Sequence, residues 1–463
     1  MDLMNSLNVQ NVTKEKRLIV FIYRNTISKK SADNEFLKWV PYENLTNKEY
    51  IGKGGFSEIY KATWERQNYR YYRGIFETEK TEVVLKVLND SQNVDTEFLK
   101  ELKHTYQLRE SDRWNSLIQC YGVTQIPKTK NYAFILEYAK GGDLHHFLNK
   151  NFAKMTWKNK IVSLNNIVEG IKRIHNKKIL HRDLHSGNIL IHDNGGIAII
   201  SDLGFSQPAT IKSDLSRKSQ IYGIIPYMAP ELFKGQSYSY KSDIYSLGMI
   251  MWQITSGHRP FHDQEHGPKL ILDILDGKRP EITEDTPENL ANLMKRCWHP
   301  VPSQRPTINE IFKLSDKFWC GRYSEDNIKK YHPDKYYIWL EFNEAEKKRL
   351  EMIEFKKPFV KNPGYEHPNS RYYSRSLNSM LESINSTVSD LFSNILFSND
   401  CFDINSNQIN GLESSDGNSG AENSKKHFLD ELLQEEIIED QNDLKRRKIS
   451  EYINECLAEN VMD

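Results

Sequence analysis

Three oxygen-bearing side chains stand close together near the middle of the chain: Asp183, Asn188 and Asp202. Two carboxylates and an amide suit a hard cation such as magnesium, which takes oxygen ligands and completes its shell with phosphates and water. Lys86 is the one charge in the apolar run Val83-Val84-Leu85-Lys86-Val87-Leu88, and a cation there costs free energy unless it is paired. Gly52, Gly54 and Gly55 lie between strand-like runs in residues 51–62. Glycine at such places lets the backbone approach phosphates and present its N–H groups. Each feature alone also has a plainer reading. These are a buried hairpin with solvated acids at its ends, an edge-strand lysine facing water, and a glycine hairpin that binds nothing.

The elements that must position these groups show as apolar periodicity. Residues 189–191 and 197–200 read as two short strands joined by a turn over 192–196, a hairpin that holds Asn188 and Asp202 at its two ends on one side. Residues 95–108 have helical spacing, with Phe98, Leu99, Leu102 and Leu108 on the buried side. Glu101 shares that side and can face Lys86; Glu97, on the more polar side, is the alternative partner. Residues 120–124 and 132–138 read as antiparallel strands, the second running into Gly141-Gly142 as a hinge before a helix. Residues 157–175 read as a core helix. Residues 65–82, polar and rich in tyrosine, read as a long loop between two strands. In the N-terminal stretch the apolar run Leu18–Tyr23 reads either as a docked strand or as the one apolar segment of a disordered arm.

His181-Arg182-Asp183-Leu184-His185-Ser186-Gly187-Asn188, Ser201-Asp202-Leu203-Gly204 and Ala229-Pro230-Glu231 follow the glycine-rich loop and the strand lysine in the order that eukaryotic protein kinases carry them. The ordered set resembles that family over residues 45–317. The resemblance implies an α+β, two-lobed fold with a small β-rich N-lobe and a larger, mainly helical C-lobe. It implies ATP and Mg2+ as cofactors and protein substrates as partners. Asp183 then orients the acceptor hydroxyl and takes its proton, Lys86 holds the nucleotide phosphates, Glu101 keeps Lys86 in place, and Asn188 and Asp202 bind magnesium. Ile51, Gly52, Lys53, Gly54, Gly55, Ser57, Ile59, Val84, Lys86 and Leu136 surround the nucleotide, and backbone groups of Glu137 and Ala139 meet adenine. Asp243 resembles the aspartate that braces the catalytic loop, and Arg305 the arginine that pairs with Glu231.

Composition sets the remaining expectations. Lysine plus arginine equals aspartate plus glutamate at 63 each, so there is no global bias toward nucleic acid or an anionic membrane. Five scattered cysteines argue for a reducing compartment and against a disulfide framework. The chain shows neither a secretory leader nor an apolar run that crosses a bilayer, so the expectation is cytoplasmic, with Lys445–Lys448 as a nuclear signal or a solvated helix face. The domain plan is an N-terminal extension (1–44), a kinase domain (45–317), a charged helical extension (318–382) with one charged helix over 342–357, a disordered Ser/Asn-rich linker (383–424) and an acidic C-terminal helix (425–463). A chain ending near residue 320 is expected to keep its activity, the tail serving partner choice.

Acceptor type follows from what the catalytic loop lacks. Tyrosine kinases resemble one another in an arginine two or four residues after the catalytic aspartate, where this chain has His185 and Gly187. Tyr227 stands where tyrosine kinases tend to carry tryptophan. The pattern resembles the tyrosine-kinase-like group of serine/threonine kinases and implies transfer to serine or threonine in intracellular signalling. Ser57, His185 and Ile224 depart from the family pattern by replacing a glycine, a lysine and a threonine. They feed the rival reading, a pseudokinase scaffold that acts through partners. Arg182 precedes the catalytic aspartate and is expected to receive a phosphate carried by the activation segment, with Ser216 and Ser219 as its sites.

Overall fold

Period-two alternation decides the first half of the structure. In the computed structural model of the chain, the described residues are 38–54, 57–70, 75–93, 116–192, 196–204, 206–208 and 221–384, with 101, 102, 104, 105 and 108. Six strands, β1 (Lys38–Trp39), β2 (Leu45–Lys53), β3 (Ser57–Arg70), β4 (Ile75–Leu88), β5 (Cys120–Gln125) and β6 (Tyr132–Glu137), form one sheet in the order β1-β5-β6-β4-β3-β2. Val83, Leu85 and Val87 of β4 enter a cluster with Val40, Leu45, Ala62, Trp64, Ala133 and Ile135. The alternate residues Val84, Lys86 and Leu88 face the other side. There Leu88 packs against Leu102, Cys120, Val123 and Phe134, so Lys86 lies on the face covered by the helical residues Glu101 and Leu102.

Where a loop is expected over residues 65–82, residues 65–70 and 75–82 are instead paired strands, and residues 71–74 lie outside the described residues. β3 and β4 stay in register from Ser57↔Leu88 to Arg70↔Ile75. Cross-strand charge pairs explain why a polar segment holds this form: Lys61–Glu82 at 2.6 Å, Arg66–Glu79 at 3.0 Å and Glu65–Lys80 at 2.9 Å. Opposite charges facing across an antiparallel pair stabilise it, which a search for apolar runs overlooks.

The large lobe is helical. The described helices that follow the sheet in the chain are α1 (Leu144–Asn151), α2 (Trp157–Asn176), α3 (Pro230–Phe233), α4 (Tyr240–Ser256), α5 (Pro268–Leu275), α6 (Glu288–Cys297), α7 (Ile308–Phe318), α8 (Glu325–Tyr331) and α9 (Tyr336–Glu354). α2 starts on a capping box in which Thr156 and Asn159 satisfy each other's backbone N–H. Its buried face carries Ile161, Leu164, Ile167, Val168, Ile171 and Ile174. Short strands sit between the helices: β7 (Ile179–Leu180), β8 (Ile189–Ile191), β9 (Ala198–Ile200), β10 (Gln207–Pro208), β11 (Tyr222–Gly223) and β12 (Arg375–Ser376). β8 pairs with β9, β7 with β10, and β11 with β12. Of the described residues, 265–278 and 377–384 form a second unit, in which α5 buries Leu270, Ile271 and Ile274.

The segment after residue 318 is no detachable tail. α9 begins at Tyr336 rather than Phe342 and is amphipathic, burying Ile338, Phe342, Ala345, Arg349 and Met352. Phe342 packs edge-on against Trp157 with ring centroids 6.0 Å apart. Glu346 accepts the Trp157 N–H at 2.8 Å, and Arg349 reaches the Ala153 carbonyl at 3.1 Å. Ending the chain near residue 320 would strip this cover from α2, so retained activity is no longer the expectation. The linker expected to be disordered, beyond residue 384, and the expected acidic helix, like the N-terminal run Leu18–Tyr23, lie outside the described residues.

A buried ion pair ties α3 to the end of the lobe. Arg305 Nη1 and Nη2 each donate to one oxygen of Glu231 at 2.7 Å, and Arg305 also reaches the carbonyls of Lys241, His299 and Pro300. Arg305→Met leaves Glu231 buried without its partner. It should lower the unfolding free energy by about 3–5 kcal/mol, checked by denaturant unfolding of the purified protein; a change under about 1 kcal/mol would refute the assignment.

Candidate active site

The site grows from the β8–β9 hairpin. Ile189 pairs with Ile200, Leu190 with Ile199 and Ile191 with Ala198, so Asn188 and Asp202 emerge together from its open end. The second strand begins at Ala198, one residue later than expected. The hairpin is stitched to the hinge: the Gly141 N–H donates to the Ile191 carbonyl at 2.9 Å, and the Ile191 N–H to that of Gly142 at 2.8 Å. A Cβ at position 141 would lie 2.7 Å from the Ile191 carbonyl oxygen, so the approach requires glycine.

Asp243, buried on α4, holds the catalytic loop. Its Oδ2 accepts the His181 N–H and its Oδ1 the Arg182 N–H, both at 2.9 Å. His175 Nε2 lies 2.9 Å from the same Oδ2. This clamp keeps Arg182 at φ 72°, a left-handed conformation that costs a side-chain-bearing residue free energy and persists only where its surroundings impose it. Asp202 is also left-handed, at φ 58°. Burial raises the Asp243 carboxyl, but the His175 hydrogen bond and charge outweigh it and hold the group below its ordinary value. The His181 ring, pushed down by burial, hydrogen-bonds the Ser201 carbonyl at 3.1 Å.

Lys86 Nζ sits 2.8 Å from Glu101 Oε1 and 2.7 Å from Asp202 Oδ1. The strand lysine therefore has both carboxylates as partners, Glu101 among them as expected; the alternative partner Glu97 lies outside the described residues. Burial works against the Lys86 ammonium, yet Asp202 and Glu101 together raise its pKa. For Asp202 burial acts upward, and Lys86 with the Gly204 N–H holds the carboxyl down. Glu101 is pushed up by its burial despite Lys86.

Asp183 is buried at the mouth of the loop. Asn188 Nδ2 donates to its carbonyl at 2.8 Å, which fixes the amide plane. His185 Nε2 stands 3.6 Å from Asp183 Oδ2. Burial pushes the Asp183 carboxyl up, but His185 and the Ser374 hydroxyl bring it below its ordinary value. Among the described residues no donor engages Asn188 Oδ1 or Asp202 Oδ2, which leaves an amide and a carboxylate oxygen for a hard cation. No group of three or more His, Cys, Asp or Glu able to hold a metal occurs among the described residues. Such a cation would thus take its other ligands from phosphates and water, as magnesium does.

The remaining residues expected at the site lie on β2, β3, β4 and β6, between β2 and β3, and at the hinge. Ile51 is exposed, while Gly52, Ile59, Val84 and Leu136 are half-buried. Lys53 and Gly54 are exposed and Ser57 is buried; the Gly54 N–H donates to the Ser57 carbonyl at 2.7 Å. Gly55 lies outside the described residues, as do Ser216 and Ser219. Glu137 and Ala139 are buried at the hinge, where Glu137 Oε1 meets His192 Nε2 at 2.8 Å. Arg182 stacks over Tyr238 at 4.3 Å, and the Tyr238 hydroxyl donates to the Tyr222 carbonyl at 2.7 Å. Ser374 is the contact sequence reasoning missed, and its polar, unpatterned surroundings offered no signal for it.

A β-sheet lobe joined by a glycine hinge to a helical lobe, with these groups between them, is the architecture of a protein kinase. The chain belongs to that family: residues 45–314 match the family model of protein tyrosine and serine/threonine kinases. A probable serine/threonine-protein kinase of Dictyostelium discoideum is 28% identical over 312 residues, 65% of this chain and 16% of that protein. Mitogen-activated protein kinase kinase kinase 7 of Homo sapiens is 27% identical over 282 residues, 59% of this chain and 42% of that protein. The chain thus matches less than half the length of either relative. No helix among the described residues is long and apolar enough to cross a membrane.

The Asp243 clamp carries a pH signature. Its carboxyl is held below the ordinary 3.8, so its contribution is complete above that value and is lost as pH falls through the folded-state value. Asp243→Asn should lower stability at neutral pH by about 2 kcal/mol. The gap to the unsubstituted protein should close only in strong acid. Urea titrations at the two pH values check this, and a gap that closes near neutrality would contradict it.

Proposed function

We propose that the protein is an active ATP-dependent kinase that transfers the γ-phosphoryl group to serine or threonine hydroxyls of protein substrates in intracellular signalling. The observation that carries the reading is Lys86 Nζ held 2.8 Å from Glu101 Oε1 and 2.7 Å from Asp202 Oδ1, beside Asp183 and Asn188. A scaffold has no need to bury a lysine between two carboxylates from separate lobes.

In-line phosphoryl transfer asks for positioning and charge neutralisation more than covalent chemistry. Lys86, kept protonated by its two partners, holds nucleotide phosphate oxygens. Glu101 fixes its rotamer. Asp183, a carboxylate at neutral pH because its pKa is lowered, orients the acceptor hydroxyl and takes its proton. Asn188 and Asp202 would hold magnesium, which when bound neutralises charge on the phosphates. His185 Nε2, 3.6 Å from Asp183 Oδ2, is placed to donate a hydrogen bond to the transferring group where the family pattern has lysine. The exposed Ile51 and the half-buried Ile59, Val84 and Leu136 wall the adenine, and the Glu137 and Ala139 backbone meets its edge. Tyr227, whose hydroxyl bonds Gln253 at 2.5 Å and lies 3.2 Å from Ser186, supports the loop that favours serine or threonine. The similarity of the matched stretch to serine/threonine kinases supports the same acceptor.

Lys86→Met and Asp202→Asn should each lower phosphoryl transfer by at least about a hundredfold while leaving the fold intact, read by radiolabel transfer alongside circular dichroism. Full transfer by either folded variant would overturn that residue's role. His185→Lys should raise the rate. Phosphoamino-acid analysis should find serine and threonine, and a product mainly on tyrosine would overturn the acceptor.

A further inference from the structure

The carboxylate assigned to the acceptor hydroxyl already faces one. Ser374 Oγ lies 2.8 Å from both Oδ1 and Oδ2 of Asp183, although 191 residues separate them in the chain. The hydroxyl is held there from both sides. After Ser374, β12 pairs antiparallel with β11, Arg375 opposite Gly223 and Ser376 opposite Tyr222. Before it, the Tyr372 hydroxyl donates to the Pro260 carbonyl at 2.9 Å, and the Arg259 guanidinium lies 3.8 Å over the Tyr372 ring. Farther back, the His367 N–H donates to the His262 carbonyl at 2.8 Å, and Arg259 pairs with Glu366. An extended segment that adds a strand to an edge and offers one side chain to a catalytic base is the way a peptide is presented to an enzyme.

We infer that Ser374 is an intramolecular phosphoryl acceptor, and that Arg371–Ser376 occupies the acceptor channel of its own active site until Ser374 is modified. The inference rests on the kinase reading above. Ser374 Oγ attacks the γ-phosphorus of ATP, and the new O–P bond forms as the bond to the β–γ bridging oxygen breaks. ADP leaves with that electron pair, and the hydroxyl proton passes to the Asp183 carboxylate. The product places a phosphate dianion against Asp183 and near Asp202. Like-charge repulsion then drives the strand from its seat and opens the base to other substrates. A serine, and not an apolar residue, at the one position facing Asp183 marks an acceptor over an inert plug. The occupant also describes what the channel takes: an extended peptide with arginine three residues before and one residue after the acceptor serine, and tyrosine two residues before it.

The test uses the full chain with Mg–ATP and casein as an external acceptor. Tethering sets an effective concentration of order millimolar, so phosphorylation of Ser374, followed by mass spectrometry, should keep the same half-time from micromolar to nanomolar protein. Casein phosphorylation should show a lag that matches Ser374 conversion. Ser374→Glu should abolish the lag, and Ser374→Ala should stay at the slow initial rate. An Asp183→Asn copy mixed with active protein should remain unmodified at Ser374. Casein labelling without any Ser374 phosphate, a half-time that lengthens on dilution, or a labelled Asp183→Asn copy would each overturn the inference and leave the kinase reading standing. Labelling of neither acceptor would overturn both.

Discussion

The structure depends on one buried cation. Lys86 sits on the covered face of a β-sheet, where an unpaired ammonium is strongly unfavourable. It is tolerated because Glu101 and Asp202 reach it from two other elements, one beside the sheet and one at the end of the β8–β9 hairpin. That pairing can form only if the helical residues above the sheet and the hairpin below the hinge are both in place. A stable charge network and a finished active site are therefore the same event. Removing either carboxylate leaves Lys86 with a single partner and unties one of the two elements from it.

The second constraint is backbone strain at the catalytic loop. Arg182 and Asp202 both adopt left-handed conformations, each unfavourable for a residue with a side chain. Asp243 imposes the first through two N–H bonds. The second is compatible with aspartate, whose short polar side chain bonds locally, here to the Gly204 N–H at 3.1 Å. Strain is thus held by buried hydrogen bonds rather than by the loop itself. The Glu231–Arg305 pair plays a parallel part, fixing α3 to the end of the lobe. Both anchors leave the loop free of adjustment when substrate arrives, as positional catalysis requires.

The segment beyond residue 318 changes how the molecule is to be understood. It covers α2 with the apolar face of α9, then runs back to the mouth of the site, where its Ser374 meets Asp183. Cover and occupant belong to one continuous stretch. The stability of the large lobe and access to Asp183 are in this way coupled through the same residues.

Much of this was legible in the chain. Asp183, Asn188 and Asp202 could be set together because a hairpin's register follows from two short apolar runs, and Lys86 and Glu101 because strand and helix periods assign faces. What is local and periodic can be read without coordinates. Three things could not. The β3–β4 ladder over residues 65–82 rests on charge pairs across strands, which leave no apolar rhythm. The start of α9 and its burial depend on Trp157 and Ala153, which are near it only in space. The contact of Ser374 with Asp183 joins residues 191 apart through a two-residue strand with no pattern of its own. The sequence determined which groups carry the family's pattern, because residue type and short-range period are properties of the chain. Only the tertiary structure decided what covers them, because contacts between distant segments are set by packing and carry no local signature.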